Sequence, residues 1–167
     1  MVQAAVLAIS PLMMLAAWAS PMNAQARAVD ATTARGLAIP PGGGHTVTFC
    51  TSPEISATIK IDPPSGGSTR FSMGTAELAP RSSNSGVHRT ADEIIYFVRG
   101  TGTAQIGEET VVVEPGTTLF IPEGLRHSFT NSSDEPMEFV WVFAPAGFEA
   151  GFRTSGVAPG TACPPQR

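Results

Sequence analysis

Short runs of β-branched and aromatic residues, separated by turn residues, recur through most of this 167-residue chain. They lie between residues 46 and 143, and breaks such as Pro63-Pro64 and Pro115-Gly116 interrupt them at intervals of about 8–12 residues. Runs of this length and spacing are typical of an antiparallel β-sandwich or a closed barrel. The sequence therefore predicts an all-β protein with one core.

The charge distribution excludes one large class of partner. The net charge is −4, and no cluster of Lys or Arg exists that could neutralise phosphates. Proteins that bind nucleic acid carry a basic patch or stripe. We therefore expect no nucleic-acid partner.

The first 26 residues have the features of a secretory signal peptide. Residues 1–26 contain no Lys, Arg, Asp or Glu, residues 12–19 are strongly apolar, and Ala24-Gln25-Ala26 is a small-x-small cleavage site. The absence of a basic residue before the apolar stretch departs from the usual pattern. A membrane anchor is the alternative, but prolines interrupt the stretch and leave it too short to span a bilayer. We expect a periplasmic or secreted protein that is free of the membrane once the signal is removed.

The rest of the chain divides into three segments. Residues 27–44 are predicted to be a flexible linker or arm, residues 45–153 the barrel, and residues 154–167 a tail rich in Pro and Gly. Cys50 and Cys163 could form a disulfide between the first strand region and the tail in an oxidising compartment. Two unrelated thiols are the alternative.

One carboxylate stands out for its place in a predicted strand. Alternation in residues 93–98 puts Glu93, Ile95 and Phe97 on one face and directs Tyr96 to the other. Glu93 therefore shares its face with apolar neighbours. A carboxylate in such a place is costly unless it is paired or binds a metal. The pattern points to a cation beside Glu93.

A second segment, GTTLFIPEGLRHSFTN at residues 116–131, reads as a strand, a tight turn and a returning strand that His127 opens. It matches the cupin motif G-x5-P-x-G-x2-H-x3-N at all five fixed positions. The segment around Glu93, residues 88–100, resembles the other cupin motif, G-x5-H-x-H-x(3,4)-E-x6-G, through His88, Glu93 and Gly100. It departs from that motif at Pro80, in place of the leading Gly, and at Gly86, in place of the first His.

The chain thus resembles the cupin superfamily, and within it the small single-domain cupins called quercetin-dioxygenase-like. The resemblance implies a double-stranded β-helix, or jelly-roll, barrel. The ending FAPAGFEAGFR at residues 143–153 is similar to that of small bacterial members, with a short helical segment at 147–153. Phe148 and Phe152 would then pack over one barrel mouth.

The resemblance implies that His88, Glu93 and His127 bind one divalent transition metal. Two histidines and one carboxylate suit Fe(II), and Mn, Ni or Zn remain open. His45 is the other histidine that could supply a further imidazole. Without a metal, Glu93 would instead pair with one of three arginines: Arg89, Arg99 and Arg126.

The barrel interior is expected to form the pocket. We predict that Gly86 and four apolar side chains line it, although plain core packing is the alternative for most of these four: Phe71, Met73, Phe97 and Phe129.

The function expected from the resemblance is that of an exported metal-dependent cupin with dioxygenase-like action on a small organic molecule. A non-catalytic module that binds a small ligand is the first alternative, and a purely structural role with a collapsed barrel is the second. Because small cupins pair through their N-terminal strands, we also expect a homodimer through residues 45–61.

Overall fold

The computed structural model describes residues 36–163. Within this part of the chain it contains eleven strands, one short 3-10 helix at Pro63–Ser65 and one α-helix, α1, at Ala150–Ser155. The strands are β1 His45–Phe49, β2 Ser52–Ile61, β3 Ser72–Leu78, β4 Ser83–Gly86, β5 Asp92–Arg99, β6 Gly102–Ile106, β7 Glu109–Val113, β8 Thr118–Ile121, β9 His127–Asn131, β10 Met137–Ala144 and β11 Gly156–Val157.

The strands form two antiparallel sheets. The larger sheet has the order β11-β1-β2-β3-β10-β5-β8, and the smaller has the order β4-β9-β6-β7. Apolar side chains of both sheets make one core, whose largest members include Leu78, Ile95, Phe97, Phe129, Trp141 and Phe143. The predicted all-β architecture with a short C-terminal helix is confirmed.

The alternation predicted for β5 is present. Glu93, Ile95 and Phe97 are buried, whereas Ile94 and Tyr96 lie exposed on the outer face of the larger sheet. Tyr96 therefore points away from Glu93, and the carboxylate of Glu93 lies in the barrel interior.

The alternation in β3 corrects two residues of the expected pocket lining. Phe71 precedes the strand and is 44% exposed. Met73 lies on the outer face of the sheet, because Ser72 and Gly74, on either side of it, are the residues that turn inward. Neither Phe71 nor Met73 lines the interior, since the inward phase of β3 falls on Ser72, Gly74, Ala76 and Leu78.

The C-terminal segment is more closely attached than a free tail would be. Helix α1 continues to Ser155, two residues beyond the predicted end of the barrel, and β11 pairs with β1. A disulfide joins Cys50 to Cys163, with their Cα atoms 5.5 Å apart.

Part of the predicted domain organisation lies beyond the described chain. The signal peptide predicted for residues 1–26 and the first part of the linker, residues 27–35, fall outside the described residues. Across residues 36–163, no helix has both the length and the apolar character needed to cross a membrane.

Candidate metal centre

Three side chains converge in the barrel from three different places in the sequence. His88 follows β4, Glu93 lies in β5, and His127 begins β9. One ligating atom from each lies within 4.8 Å of the others, and both Glu93 and His127 are 4% exposed. The structure thus brings together the three residues that the sequence motifs single out.

The two atoms at the centre of this group lack hydrogen bonds. Oε2 of Glu93 lies 3.2 Å from Nδ1 of His88 and 3.7 Å from Nε2 of His127. Despite the short distance, neither Oε2 of Glu93 nor Nδ1 of His88 has a hydrogen-bond partner, and both are buried. An unsatisfied buried polar atom costs about 1–3 kcal/mol. A cation between them would remove this cost, so the donor set fits a metal.

A main-chain contact on the side away from Glu93 fixes the orientation of the His127 ring. Its Nδ1 lies 3.1 Å from the main-chain carbonyl of Leu125. Because a carbonyl can only accept, Nδ1 carries the hydrogen and Nε2 presents its lone pair to Glu93. Metal-binding histidines are held in this way by a carbonyl or carboxylate on the other ring nitrogen.

Burial keeps this imidazole neutral. Burial lowers the pKa of His127 below its usual value, and the nearby His88 acts in the same direction. The hydrogen bond to Leu125 and the charge of Glu93 oppose the shift without cancelling it. Since a metal binds the neutral form of histidine, the environment of His127 favours ligation.

The turn before His127 joins the two motif segments. The main-chain N–H of Gly124 donates to the carbonyl of His88 at 2.7 Å, and the N–H of Glu123 donates to Oδ1 of Asp92 at 2.9 Å. Gly124 has φ 78°, a left-handed conformation that glycine adopts without strain. The proline-glycine turn of the second motif therefore positions the loop that carries His88.

Asn131, the last residue of the second motif, has a structural role. It is 1% exposed, and its amide group donates to the carbonyls of Leu78, Ala79 and Glu135. Its carbonyl oxygen accepts from the main chain of Ser133 at 3.0 Å. Asn131 thus holds three chain segments together away from the metal centre.

Gly86 leaves one side of the group open. It ends β4 and pairs with His127 across the smaller sheet. A Cβ atom placed on Gly86 would lie 3.6 Å from Nε2 of His127 and 3.8 Å from Nε2 of His88. The missing histidine of the motif therefore leaves free space directly beside both imidazoles.

A pocket of about 230 Å³ reaches the group from this side. Its apolar lining residues are Phe49, Ile55, Val87, Phe148 and Phe152, and its polar ones are Thr51, Ser52, Asn84 and Ser85, together with Gly86 and His88. The ring of His88 also packs on Phe148, with centroids 4.3 Å apart, and on Phe143, at 4.8 Å. The lining thus combines three phenylalanine rings, here called the aromatic wall (Phe49, Phe148 and Phe152), with neutral polar side chains and His88.

Several sequence expectations fall elsewhere in the structure. Phe97 and Phe129 are buried in the core behind the group, their centroids 5.9 Å apart, and are not among the residues that line this pocket. His45 is exposed and lies outside the group. Arg99 pairs with Glu77 and Glu138, and among the described residues no arginine forms an ion pair with Glu93.

The contribution of the N-terminal strands to the pocket was not predicted. Phe49 ends β1 and Ile55 lies in β2. Thr51 lies in the connection between the two strands, and Ser52 begins β2. Only the pairing of β1 with β11 and β2 brings them beside α1. A single sequence contains no local signal for such a meeting of distant segments.

Comparison with known proteins agrees with this fold. The family described as cupin domain matches residues 74–143. The tetracenomycin polyketide synthase protein TcmJ of Streptomyces glaucescens is 30% identical over 86 residues, which cover 51% of this chain and 58% of that protein. The glucose-6-phosphate isomerase of Thermococcus onnurineus is 35% identical over 72 residues, 38% of each chain. The matches thus span less than two thirds of either relative.

A solved structure gives the same result at the level of the fold. The polyketide cyclase RemF from Streptomyces resistomycificus is 23% identical, with a TM-score of 0.57 over 66% of this chain and 80% of that one. At this identity the likeness concerns the fold alone. Family match, fold and motif residues agree, and the part of the chain at residues 74–143 is a small cupin domain.

Proposed function

We propose that this cupin binds one divalent transition metal through His88, Glu93 and His127 and acts there on a small organic molecule held in the adjoining pocket. The observation that carries the proposal is the pair of buried atoms without hydrogen bonds, Nδ1 of His88 and Oε2 of Glu93, in the centre of the group. A protein core does not normally retain such atoms without a partner.

Each ligand has a distinct place in this proposal. His127 is fixed by the carbonyl of Leu125, so that its Nε2 faces the centre. Glu93 supplies the one negative charge of the group. His88 borders both the centre and the pocket, where Phe148 packs on its ring.

Dioxygenase-like chemistry is the reaction class that we propose. A bound Fe(II) with three protein ligands would polarise an oxygen of the organic molecule and allow it to react with O₂. In a dioxygenation that cleaves a bond of the organic molecule, both atoms of O₂ enter the product and the organic molecule supplies all four electrons, so the reaction needs no external reductant. The gap at Gly86 gives the organic molecule access, and the aromatic wall excludes water. Mn, Ni and Zn remain alternatives because the same donors bind them.

The relatives support a small organic molecule as the substrate. TcmJ is by its name a polyketide synthase protein, and the isomerase is named for a sugar phosphate. Both names place the relatives in the metabolism of small molecules.

A non-catalytic, ligand-binding module is the second candidate function. Among the residues that line the pocket, only His88 has a side chain of the kind that serves as a general acid or base, and it also belongs to the metal group. The pocket thus offers no independent acid or base.

Metal analysis tests the proposal. We expect elemental analysis of the purified chain to find about one equivalent of a transition metal, after loading with Fe(II), Mn, Ni or Zn in turn if purification removes it. His88→Ala and His127→Ala should lose it. His45→Ala is the matched control, because this histidine is exposed and outside the group. Retention of the metal in both variants would contradict the proposal.

Oxygen uptake separates the two candidate functions. The Fe(II)-loaded protein should consume O₂ in the presence of a suitable small organic molecule, and His127→Ala should not. A ligand that binds the loaded protein tightly without any uptake of O₂ would favour the binding module.

Export and dimer formation are also proposals. A disulfide such as Cys50–Cys163 persists in oxidising compartments, which supports a periplasmic or secreted protein. The homodimer through residues 45–61 is testable by light scattering after size-exclusion chromatography.

A further inference from the structure

We infer that the pocket selects an uncharged aromatic compound that carries a hydroxyl or carbonyl oxygen. Its ring would lie against Phe148 and Phe152, and its oxygen would point past Gly86 towards the metal. The position of the oxygen rests on the proposed function, whereas the choice of an uncharged aromatic body rests on the pocket alone.

The aromatic wall is a connected set of rings. Phe49 and Phe152 meet edge to face with centroids 5.4 Å apart, and Phe148 and Phe152 meet in the same way at 5.7 Å. Phe148 in turn packs on the ring of His88. A further ring placed here gains edge and face contacts, which a saturated ring of the same size gains only as apolar burial.

The pocket lining carries no fixed charge. None of the eleven residues that line it is Lys, Arg, Asp or Glu. Phosphate esters and carboxylates lose hydration when they enter a pocket, and they need a cationic partner to replace it. Away from the proposed metal, the lining offers only neutral hydrogen-bonding groups, those of Thr51, Ser52, Asn84 and Ser85. This chemistry favours a neutral compound over a sugar phosphate.

Gly86 forms the passage between the pocket and the imidazoles. A side chain at this position would contact Nε2 of both His127 and His88. Gly86 is not among the glycines with positive φ, so its backbone conformation accepts a side chain without strain. The size of the side chain at position 86 therefore determines how closely an atom of the bound compound can approach the metal.

The wall is held in place before any ligand arrives. Glu149, 1% exposed, accepts hydrogen bonds from Oγ of Ser72 at 2.7 Å and from the main chain of Gly147 at 2.8 Å. Arg153 of α1 donates twice to the buried carboxylate of Asp62, at 2.8 and 2.9 Å. These contacts fix both ends of the segment that carries Phe148 and Phe152, and a pre-organised wall reduces the entropy lost on binding.

Binding of matched probes to the metal-free chain tests the inference without relying on the metal. The probes are 2-naphthol, its saturated counterpart decahydro-2-naphthol, and glucose 6-phosphate. Ligand-observed NMR measures the binding of each probe. We expect 2-naphthol to bind tighter than decahydro-2-naphthol by about threefold or more, the value of one or two aromatic contacts. Glucose 6-phosphate should neither bind nor displace 2-naphthol.

Variants assign the preference to the pocket. Phe148→Leu and Phe152→Leu should each reduce the preference for 2-naphthol, and Gly86→Leu should weaken binding of both naphthols. Phe120→Leu is the control, since this ring is 62% exposed on the outer face of the larger sheet. If one wall variant fails to fold, the other decides. Equal affinity for the two naphthols, a preference that survives the wall variants, or displacement by glucose 6-phosphate would overturn the inference.

A metal-loaded arm separates this inference from the proposed function. Loading with Co(II), as a spectroscopic substitute, should tighten 2-naphthol binding and change the visible absorption of the ion. If the chain binds no metal but the metal-free preference holds, the proposed function fails and the aromatic selectivity stands. If the chain binds a metal but shows no preference for 2-naphthol, the aromatic selectivity fails and the proposed metal binding stands.

Discussion

The main-chain carbonyl of Leu125 accepts a hydrogen bond from Nδ1 of His127 and thereby decides which nitrogen of that ring faces Glu93. The contact lies within one tight turn, in which Gly124 has the left-handed φ of 78°. One side chain of the candidate centre is thus oriented by the backbone. The burial of this histidine leads to the first prediction.

The metal-free protein should become less stable as the pH is lowered, because of His127. Burial holds the pKa of this histidine below its usual value of 6.5. As the pH falls below 6.5, the unfolded chain takes up the proton first. The free energy of unfolding therefore decreases, by at most about 1.4 kcal/mol per pH unit, until the folded state is protonated too. Urea unfolding between about pH 8 and pH 5.5 measures this slope. His127→Gln should show a smaller slope, and an unchanged slope would contradict the assignment.

Gly86→His should strengthen metal binding. The space beside Nε2 of His127 and His88 accepts a side chain, and an imidazole there would complete the four-ligand set of the motif. We expect the metal to bind about tenfold tighter, or about 1.4 kcal/mol, in competition with a chelator. Gly86→Leu is the matched control, since it fills the same space without a donor. Equal affinity in the two variants would show that position 86 cannot reach the ion.

Asn131→Ala should destabilise the fold without removing the metal. The substitution removes the buried amide that donates to three main-chain carbonyls, and only those of Ala79 and Glu135 keep another side-chain donor, from Ser82 and Ser133. We expect a loss of about 2–4 kcal/mol in the free energy of unfolding, with metal content unchanged. Asn84→Ala, in the pocket lining, should cost less. Loss of metal from a folded Asn131→Ala variant would place this asparagine in the site.

Reduction of the disulfide should lower stability substantially. Cys50 and Cys163 are 113 residues apart, and the chain-entropy account gives such a loop up to about 4–5 kcal/mol. Unfolding of the wild type with and without reductant, compared with a variant that has serine at both positions, measures the effect. A wild type that is insensitive to reductant would show that the link is not formed in solution.

Much of the candidate metal centre could be predicted from the sequence, because its residues lie in segments with local signals. Alternation in β5 placed Glu93 inside, and the proline-glycine turn placed His127 at the start of a strand. Both signals come from period-two patterning and from turn residues. They act over a few residues and do not depend on distant contacts.

The parts that could not be predicted depend on distant pairing. The sequence of β4 is Ser-Asn-Ser-Gly, which has no strand propensity, and it is extended only because it pairs with β9. In β3 the large apolar side chain of Met73 suggested the wrong inward phase, because the inward positions on either side of it are Ser72 and Gly74, which give no hydrophobic signal. The pocket wall from β1 and β2 follows from tertiary packing in the same way.

The hydrogen bond from Gly124 to the carbonyl of His88 joins the two motif segments through main-chain atoms alone. No side-chain substitution removes this donor or this acceptor, apart from replacement of the glycine by proline. This link between the two segments therefore does not depend on which side chains surround the proposed metal site. A histidine at position 86 could be absent without moving the other three residues, so that the number of protein ligands, and with it the space left for a substrate, can change while the barrel stays the same.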